Sequence, residues 1–171
     1  MKERPVLFSG EMVRAILEGR KTQTRRVIKP QPLWVGDPNV AFKTHSANPK
    51  GIINCPYGQP GDRLWVRETF AGTKNTGFAY RATDTAYGHK WRPSIFMPHW
   101  ASRINLEVVS VRVERVQDIS IEDAYDEGME WGDQGCGVLE FKNLWDSINL
   151  KRGYGWDANP WVWVIEFKRL P

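Results

Sequence analysis

Apolar residues at helical spacing predict three helices in this chain of 171 residues. The first is predicted over about 11–18, directly after the capping hydroxyl of Ser9. A second, shorter helix is predicted between the capping hydroxyl of Ser120 and a stop at Gly128. The third is predicted over about 139–149, and we expect its apolar face to belong to the core. That face is made of Phe141, Leu144, Trp145 and Ile148.

Runs rich in β-branched and aromatic residues predict strands at five places. They lie at about 24–28, 63–70, 78–82, 106–116 and 161–168. Alternate residues from Leu64 to Phe70 share one face, and an inward orientation of that face would bury the Glu68 carboxylate and require a partner for it. No βαβ alternation is present. The pattern therefore predicts an α+β fold with a mostly antiparallel sheet, in the form of a small barrel.

Composition is that of one globular domain, which we place at 1–171. Hydrophobic residues make up 41% of the chain and aromatic residues 12%, which argues against disorder. No secretory segment opens the chain and no apolar run approaches about 18 residues, so we expect a cytoplasmic protein that does not interact with membranes. Cys55 and Cys136 form no CxxC pair, and the three His residues show no ligand spacing with them. We therefore expect no metal, no cofactor and no disulfide framework.

Charge is distributed unevenly between two segments. Residues 1–29 carry eight Lys/Arg and three Glu, whereas residues 118–147 carry nine Asp/Glu and one Lys. A basic segment facing an acidic helical segment would suit a site with an anionic ligand on one wall and a carboxylate on the other. The alternative interpretation is ordinary solvated surface.

The block Gly19-Arg20-Lys21-Thr22-Gln23-Thr24-Arg25-Arg26 combines a lysine, two hydroxyls and three guanidinium groups. A lysine that loses its proton beside a hydroxyl is one way to activate a nucleophile. Clustered guanidinium groups are one way to hold a phosphate or the edge of a sugar. The block therefore indicates a nucleotide or RNA site, with hydrolysis as a candidate reaction.

The same block, followed by Gly61-Asp62 and Leu64-Trp65-Val66 and closed by Trp163-Val164-Ile165-Glu166-Phe167, resembles the ASCH domain. The full chain is similar to ASCH proteins carried by phages and prophages. The resemblance implies a PUA-like barrel with RNA or a modified nucleoside as ligand. It also implies insertions relative to the compact members of the family, at about 30–58 and 71–104.

A compact bacterial branch of that family comprises N4-acetylcytidine amidohydrolases. The resemblance assigns their active Lys and Thr to Lys21 and Thr24, and their later Glu to Glu127 in the predicted second helix. Thr24 would be the nucleophile, Lys21 the base and Glu127 the proton shuttle.

Further residues are candidates for substrate binding, as cations, as an ion pair or as stacking platforms. They are Arg20, Arg25, Arg26, Arg67, Glu68, Trp91 and Trp100. For Glu68 the alternative is an internal ion pair, and for the tryptophans it is core packing. Two other functions stay open: a non-catalytic RNA-binding module, and a ribonuclease in which Lys21 and the arginines serve the phosphate.

Overall fold

The computed structural model of the protein describes residues 1–32, 54–84, 90–130 and 137–171. Its strands are β1 (Glu3–Leu7), β2 (Gln23–Val27), β3 (Arg63–Arg67), β4 (Phe70–Thr73), β5 (Gly77–Tyr80), β6 (Asn105–Arg115) and β7 (Trp161–Arg169). Its helices are α1 (Gly10–Leu17), α2 (Ile121–Asp126) and α3 (Gly137–Asn149). No helix in these ranges is both long enough and apolar enough to span a bilayer.

Five strands form one mixed sheet in the order β1-β3-β6-β7-β2. β1 runs parallel to β3, and the other three pairings are antiparallel. The two end strands of this order lie close together. The Arg26 side chain on β2 donates a hydrogen bond to the Leu7 carbonyl at the end of β1 (2.7 Å). The sheet thus curves toward a barrel. The predicted α+β class with mostly antiparallel pairing is confirmed.

All three predicted helices are present, and Ser9 and Ser120 cap α1 and α2 as expected. Strands were also found at each predicted place, with two differences. β1 was not predicted, because its sequence holds Pro5 and only two strongly apolar residues, and parallel pairing with β3 supplies the rest of its stability. The predicted strand at 63–70 is two strands, since Phe70 leaves the main sheet and pairs with Tyr80.

The core lies on both faces of the sheet. One cluster packs α1 against it through Val13, Ile16, Leu64 and Ile165. A second cluster joins α2 and α3 to the other face and includes Ala124, Phe141, Trp145 and Val164. Helices α1 and α2 are therefore held close to β2, which follows α1 in the chain.

The hairpin β4–β5 and the segment 90–104 form a separate small cluster around Phe70, Met97 and Ala101. This part of the chain coincides with the second predicted insertion. Most of the first predicted insertion, at about 30–58, lies outside the described residues. The insertion boundaries remain predictions.

Candidate active site

The chain turns sharply between α1 and β2, and this turn aims Lys21 inward. Gly19 has a positive φ of 77°, and the amides of Arg20 and Lys21 both donate to the Ala15 carbonyl (2.9 and 3.0 Å). The next amide, of Thr22, donates to Asp126 at the end of α2 (2.8 Å). This hydrogen bond joins the last residue of α2 to the residue that directly precedes β2.

Lys21 and Glu127 form a buried ion pair across this junction. The Lys21 Nζ lies 2.7 Å from Glu127 Oε2 and 2.7 Å from the Glu127 carbonyl oxygen. The two residues are only 2% and 3% exposed. The Phe8 ring centroid is 5.7 Å from the same nitrogen. The pair therefore lies in an environment with little access for solvent.

Burial is the main reason why the pKa of Lys21 lies below its ordinary value. The positive charges of Arg26 and Arg25 lower this pKa further, while the charge and hydrogen bond of Glu127 raise it. Desolvation disfavours the charged form of an amine, and neighbouring cations act in the same direction. The neutral amine, which is the form able to accept a proton, is more accessible here than in water.

Arg25 connects the pair to a wider network of carboxylates. Its Nη2 contacts Asp123 Oδ2 (2.7 Å) and Glu114 Oε2 (3.1 Å), and its Nη1 lies 3.4 Å from Glu127 Oε1. Arg112 on β6 also bridges Glu114 and Asp123. Arg25 thus positions Glu127, and its charge is already compensated by three carboxylates.

A pocket of about 390 Å³ opens beside this network. Thr24 and Glu127 both line it, whereas Lys21 contacts Glu127 from outside the lining. Among the described residues, the Thr24 hydroxyl has no hydrogen-bond partner. Aromatic side chains supply much of the remaining wall. They are Tyr57, Phe141, Trp145 and Trp163.

Arg26 also lines the pocket, and aromatic rings hold it there. Its guanidinium carbon is 5.2 Å from the Phe8 ring centroid and 5.8 Å from that of Tyr57. A cation over an aromatic face is attracted by the ring quadrupole. Arg26 is therefore fixed in the wall as a positively charged group.

The other predicted binding residues do not line this pocket. Arg20 pairs with Glu18 and donates to the Gly128 carbonyl (3.0 Å), and it lines a second pocket that shares Met12, Glu127 and Leu144 with the first. Arg67 donates to the Met97 carbonyl (3.0 Å) at the hairpin cluster. Both arginines belong to the sequence blocks that resemble the family, but they donate to backbone carbonyls and are not part of the described lining of this pocket.

Glu68, Trp91 and Trp100 lie on the side of the hairpin β4–β5. Glu68 is buried and bound by Arg103 through two hydrogen bonds (2.8 and 3.0 Å), which matches the alternative of an internal ion pair. Trp91 is half-buried, and Trp100 is 55% exposed with its ring 5.4 Å from that of Phe78. Neither tryptophan is among the described residues that line the pocket.

Several site residues were missed by sequence reasoning. Asp123 lies three residues after the capping Ser120, and Arg112 and Glu114 lie in the predicted strand at 106–116; none of the three was predicted as a site residue. The i, i+2 spacing of Arg112 and Glu114 places both on one face of β6, which was the available signal. Tyr57, Lys29 and Arg152 carry no such signal, because the fold alone brings them to the pocket.

Within the described ranges, no three His, Cys, Asp or Glu side chains are grouped as a metal site requires. His45, His89 and Cys136 lie outside those ranges. Cys55 is described as a free thiol, and burial raises its pKa to about 11.

Neither the family models nor the curated proteins that were compared gave a match to this chain. Among solved structures, a protein of Enterococcus faecalis with the family description DUF984 is similar, with a TM-score of 0.51 and 9% identity. The match covers 99% of this chain and 80% of that one. A structure described as the ASCH domain from Lactobacillus crispatus gives a TM-score of 0.49 and 14% identity, covering 98% and 79%. At 9% identity, the similarity to the Enterococcus protein shows a shared fold alone.

Proposed function

We propose that the protein is an ASCH-domain amidohydrolase of the cytoplasm that removes the acyl group from N4-acetylcytidine-like nucleosides or from RNA. The observation that carries this proposal is the buried Lys21–Glu127 pair (2.7 Å) beside a pocket lined by Thr24 and Glu127. The resemblance of Lys21 and Thr24 in the Gly19–Arg26 block, and of Glu127 in the second helix, to the family's active residues supports the same three roles. Aromatic walls suit a base, since each base offers a π-face for stacking.

In the first step, Thr24 Oγ attacks the acyl carbon and its proton passes to the neutral Lys21 amine. A hydroxyl is a weak nucleophile without an adjacent base, and the lowered pKa of Lys21 makes the neutral form available. The developing oxyanion is stabilised by the positive charge of Arg26 in the pocket wall. Arg67, another candidate cation, donates to the Met97 carbonyl and is not among the described residues that line the pocket.

In the second step, the carbon–nitrogen bond breaks and the exocyclic nitrogen receives a proton relayed by Glu127. The base leaves with a free amino group, and the acyl group stays on Thr24 as an ester. Water then hydrolyses this ester, which releases the carboxylic acid and restores the hydroxyl. Arg25 keeps Glu127 in position throughout, through its contact with Oε1.

The test is chromatographic product analysis after incubation with N4-acetylcytidine. We expect cytidine and acetate from the wild type, and a loss of about 10²–10⁴-fold in kcat for Lys21→Ala, which is the range of general-base contributions. Lys21→Arg should fail equally, because guanidinium stays protonated. Thr24→Val should be inactive, whereas Thr24→Ser retains the hydroxyl and should retain activity.

The matched control is Lys168→Ala, since the side chain of that lysine on β7 is 60% exposed and, among the described residues, its ion pair is with Glu107. Wild-type turnover by Lys21→Ala, with an unchanged melting curve, would exclude Lys21 as the base. Absence of any cytidine from the wild type would instead favour the binding module, or the ribonuclease if added RNA is shortened.

A further inference from the structure

The pocket contains more positive charge than its own carboxylate balances. Its described lining holds four cations and one acid, namely Arg25, Arg26, Lys29, Arg152 and Glu127. Arg25 is compensated by its carboxylate contacts. The other three cations form no ion pair within the part of the chain that the structure describes. A concave surface with unbalanced positive charge attracts anions.

Two of these cations lie at the rim of the pocket. Lys29 and Arg152 are exposed, whereas Thr24 is only 3% exposed. Lys29 follows β2, and its Nζ is 5.1 Å from the ring centroid of Tyr154. Arg152 ends the single turn Leu150–Arg152 that follows α3, two residues before Tyr154. The contact with Tyr154 therefore brings Lys29 to the segment that carries Arg152.

The interior of the pocket differs from this rim. Phe141, Trp145 and Trp163 are almost fully buried and give it apolar, aromatic walls. Its volume of about 390 Å³ falls in the range of pockets that enclose small ligands, roughly 300–1,000 Å³. A ligand with a flat aromatic part inside and an anionic part at the rim would match both regions.

From this arrangement we infer that the ligand carries a phosphate group, which Lys29 and Arg152 bind at the rim while its base lies in the aromatic interior. The substrate class is thus an acylated cytidine nucleotide, free or within RNA, and not the bare nucleoside. This inference rests on the proposed function for the identity of the base. Guanidinium offers paired donors to phosphate oxygens, and ammonium acts on them as a point charge.

The experiment measures binding of unacylated ligands by calorimetry, so that no hydrolysis is needed. Cytidine 5′-monophosphate should bind at least about tenfold more tightly than cytidine, since a hydrogen bond to a charged group is worth that much. The double variant Lys29→Gln, Arg152→Gln should bind both ligands equally. Lys151→Gln, which removes an exposed cation outside the lining, should keep the preference.

Equal binding of both ligands by the wild type, or a preference that survives the double variant, would overturn the inference. Hydrolysis of N4-acetylcytidine together with equal binding of the two ligands would contradict the phosphate site and still support the proposed amidohydrolase function. A preference for the phosphorylated ligand without hydrolysis of N4-acetylcytidine would support the phosphate site and contradict the proposed amidohydrolase activity.

A short oligocytidine distinguishes the two sources of phosphate. If RNA is the ligand, the oligonucleotide should bind more tightly than the mononucleotide, with a log–log salt slope of about −0.7 per phosphate contacted. If the free nucleotide is the ligand, the two should bind alike. Both outcomes support phosphate recognition, and both require the loss of binding preference in the double variant.

Discussion

The pKa of Lys21 depends on burial and on charged residues both distant from it and close to it in sequence. Glu127 lies 106 positions away and contributes two acceptors to its Nζ, one from the side chain and one from the backbone. Arg26 and Arg25, its close neighbours in sequence, lower its pKa, while Glu127 raises it. Burial, which is the largest cause of the lowered pKa, and the balance between these opposing charges together set how much neutral amine is present at a given pH.

Changes in these neighbours should move the titration of Lys21 in opposite directions. Arg26→Gln removes a positive charge and should raise the pKa of Lys21, whereas Glu127→Gln removes a negative charge and should lower it. Because the neutral amine is the proposed base, kcat/KM of the wild type should rise with pH through a value below the ordinary 10.5. With Arg26→Gln the rise should move to higher pH.

NMR of labelled lysine side chains measures the pKa of Lys21 directly and does not depend on activity. Arg63→Gln is the matched control, since this half-buried arginine pairs with Glu3 and is not among the charges that shift the pKa of Lys21. A shift of the same sign in Arg26→Gln and Glu127→Gln would contradict the electrostatic account.

At the scale of elements, the junction between α1, β2 and α2 holds the site together. Helix α2 ends at Asp126, and the chain turns away at Gly128 with a positive φ of 94°. A Cβ at this position would lie 3.0 Å from Ala15 Cβ and 3.2 Å from Lys21 Cβ. The close packing of three elements thus depends on the absence of a side chain at one residue.

Gly128→Ala should destabilise the fold more than Gly61→Ala does. Both positions have a positive φ, which costs about 1–2 kcal/mol for a residue with Cβ. Gly61 has no neighbour within 4 Å of an added Cβ, whereas Gly128 would also incur crowding that costs about 1–3 kcal/mol. Urea denaturation of both variants measures the difference. Equal losses of stability would show that the junction relaxes without strain.

At the scale of the whole molecule, the site and the hairpin cluster are separate. The pocket lies between β2, α2 and α3, while β4, β5 and the segment 90–104 pack around Phe70 and Met97. Glu68 joins this cluster to the main sheet by its bidentate contact with Arg103. This contact favours a structural role for Glu68, distinct from the binding role that the sequence also allowed.

Arg103→Met should therefore lower the free energy of unfolding and leave kcat unchanged. Removing one partner of a buried pair costs about 3–5 kcal/mol, and we expect the lower end because the Arg103 side chain is 27% exposed. Thermal or urea unfolding gives the loss, and the kcat for N4-acetylcytidine, measured below the transition, should equal that of the wild type. A fall in kcat of tenfold or more in the folded variant would indicate that Glu68 contributes to substrate binding or to the reaction.

The sequence by itself determined the three helices, most of the strands and the residue types of the candidate site. Hydrophobic periodicity and the capping serines located all three helices, because these signals are local. The Gly19–Arg26 block indicated Lys21, Thr24 and Arg26 by residue type, since a lysine beside a hydroxyl can activate a nucleophile and guanidinium groups bind anions. β1 escaped notice, because its stability comes from pairing with β3, about 60 residues away.

Only the tertiary structure decided which groups share a pocket and which are already neutralised. Arg25 and Arg26 are adjacent in sequence, yet one is bound by three carboxylates and the other is held between Phe8 and Tyr57. Arg67 and Trp100 are of residue types common in binding sites, but they lie at the hairpin cluster. Ion pairing, desolvation and enclosure depend on distances between remote segments, and no local pattern of residues encodes those distances.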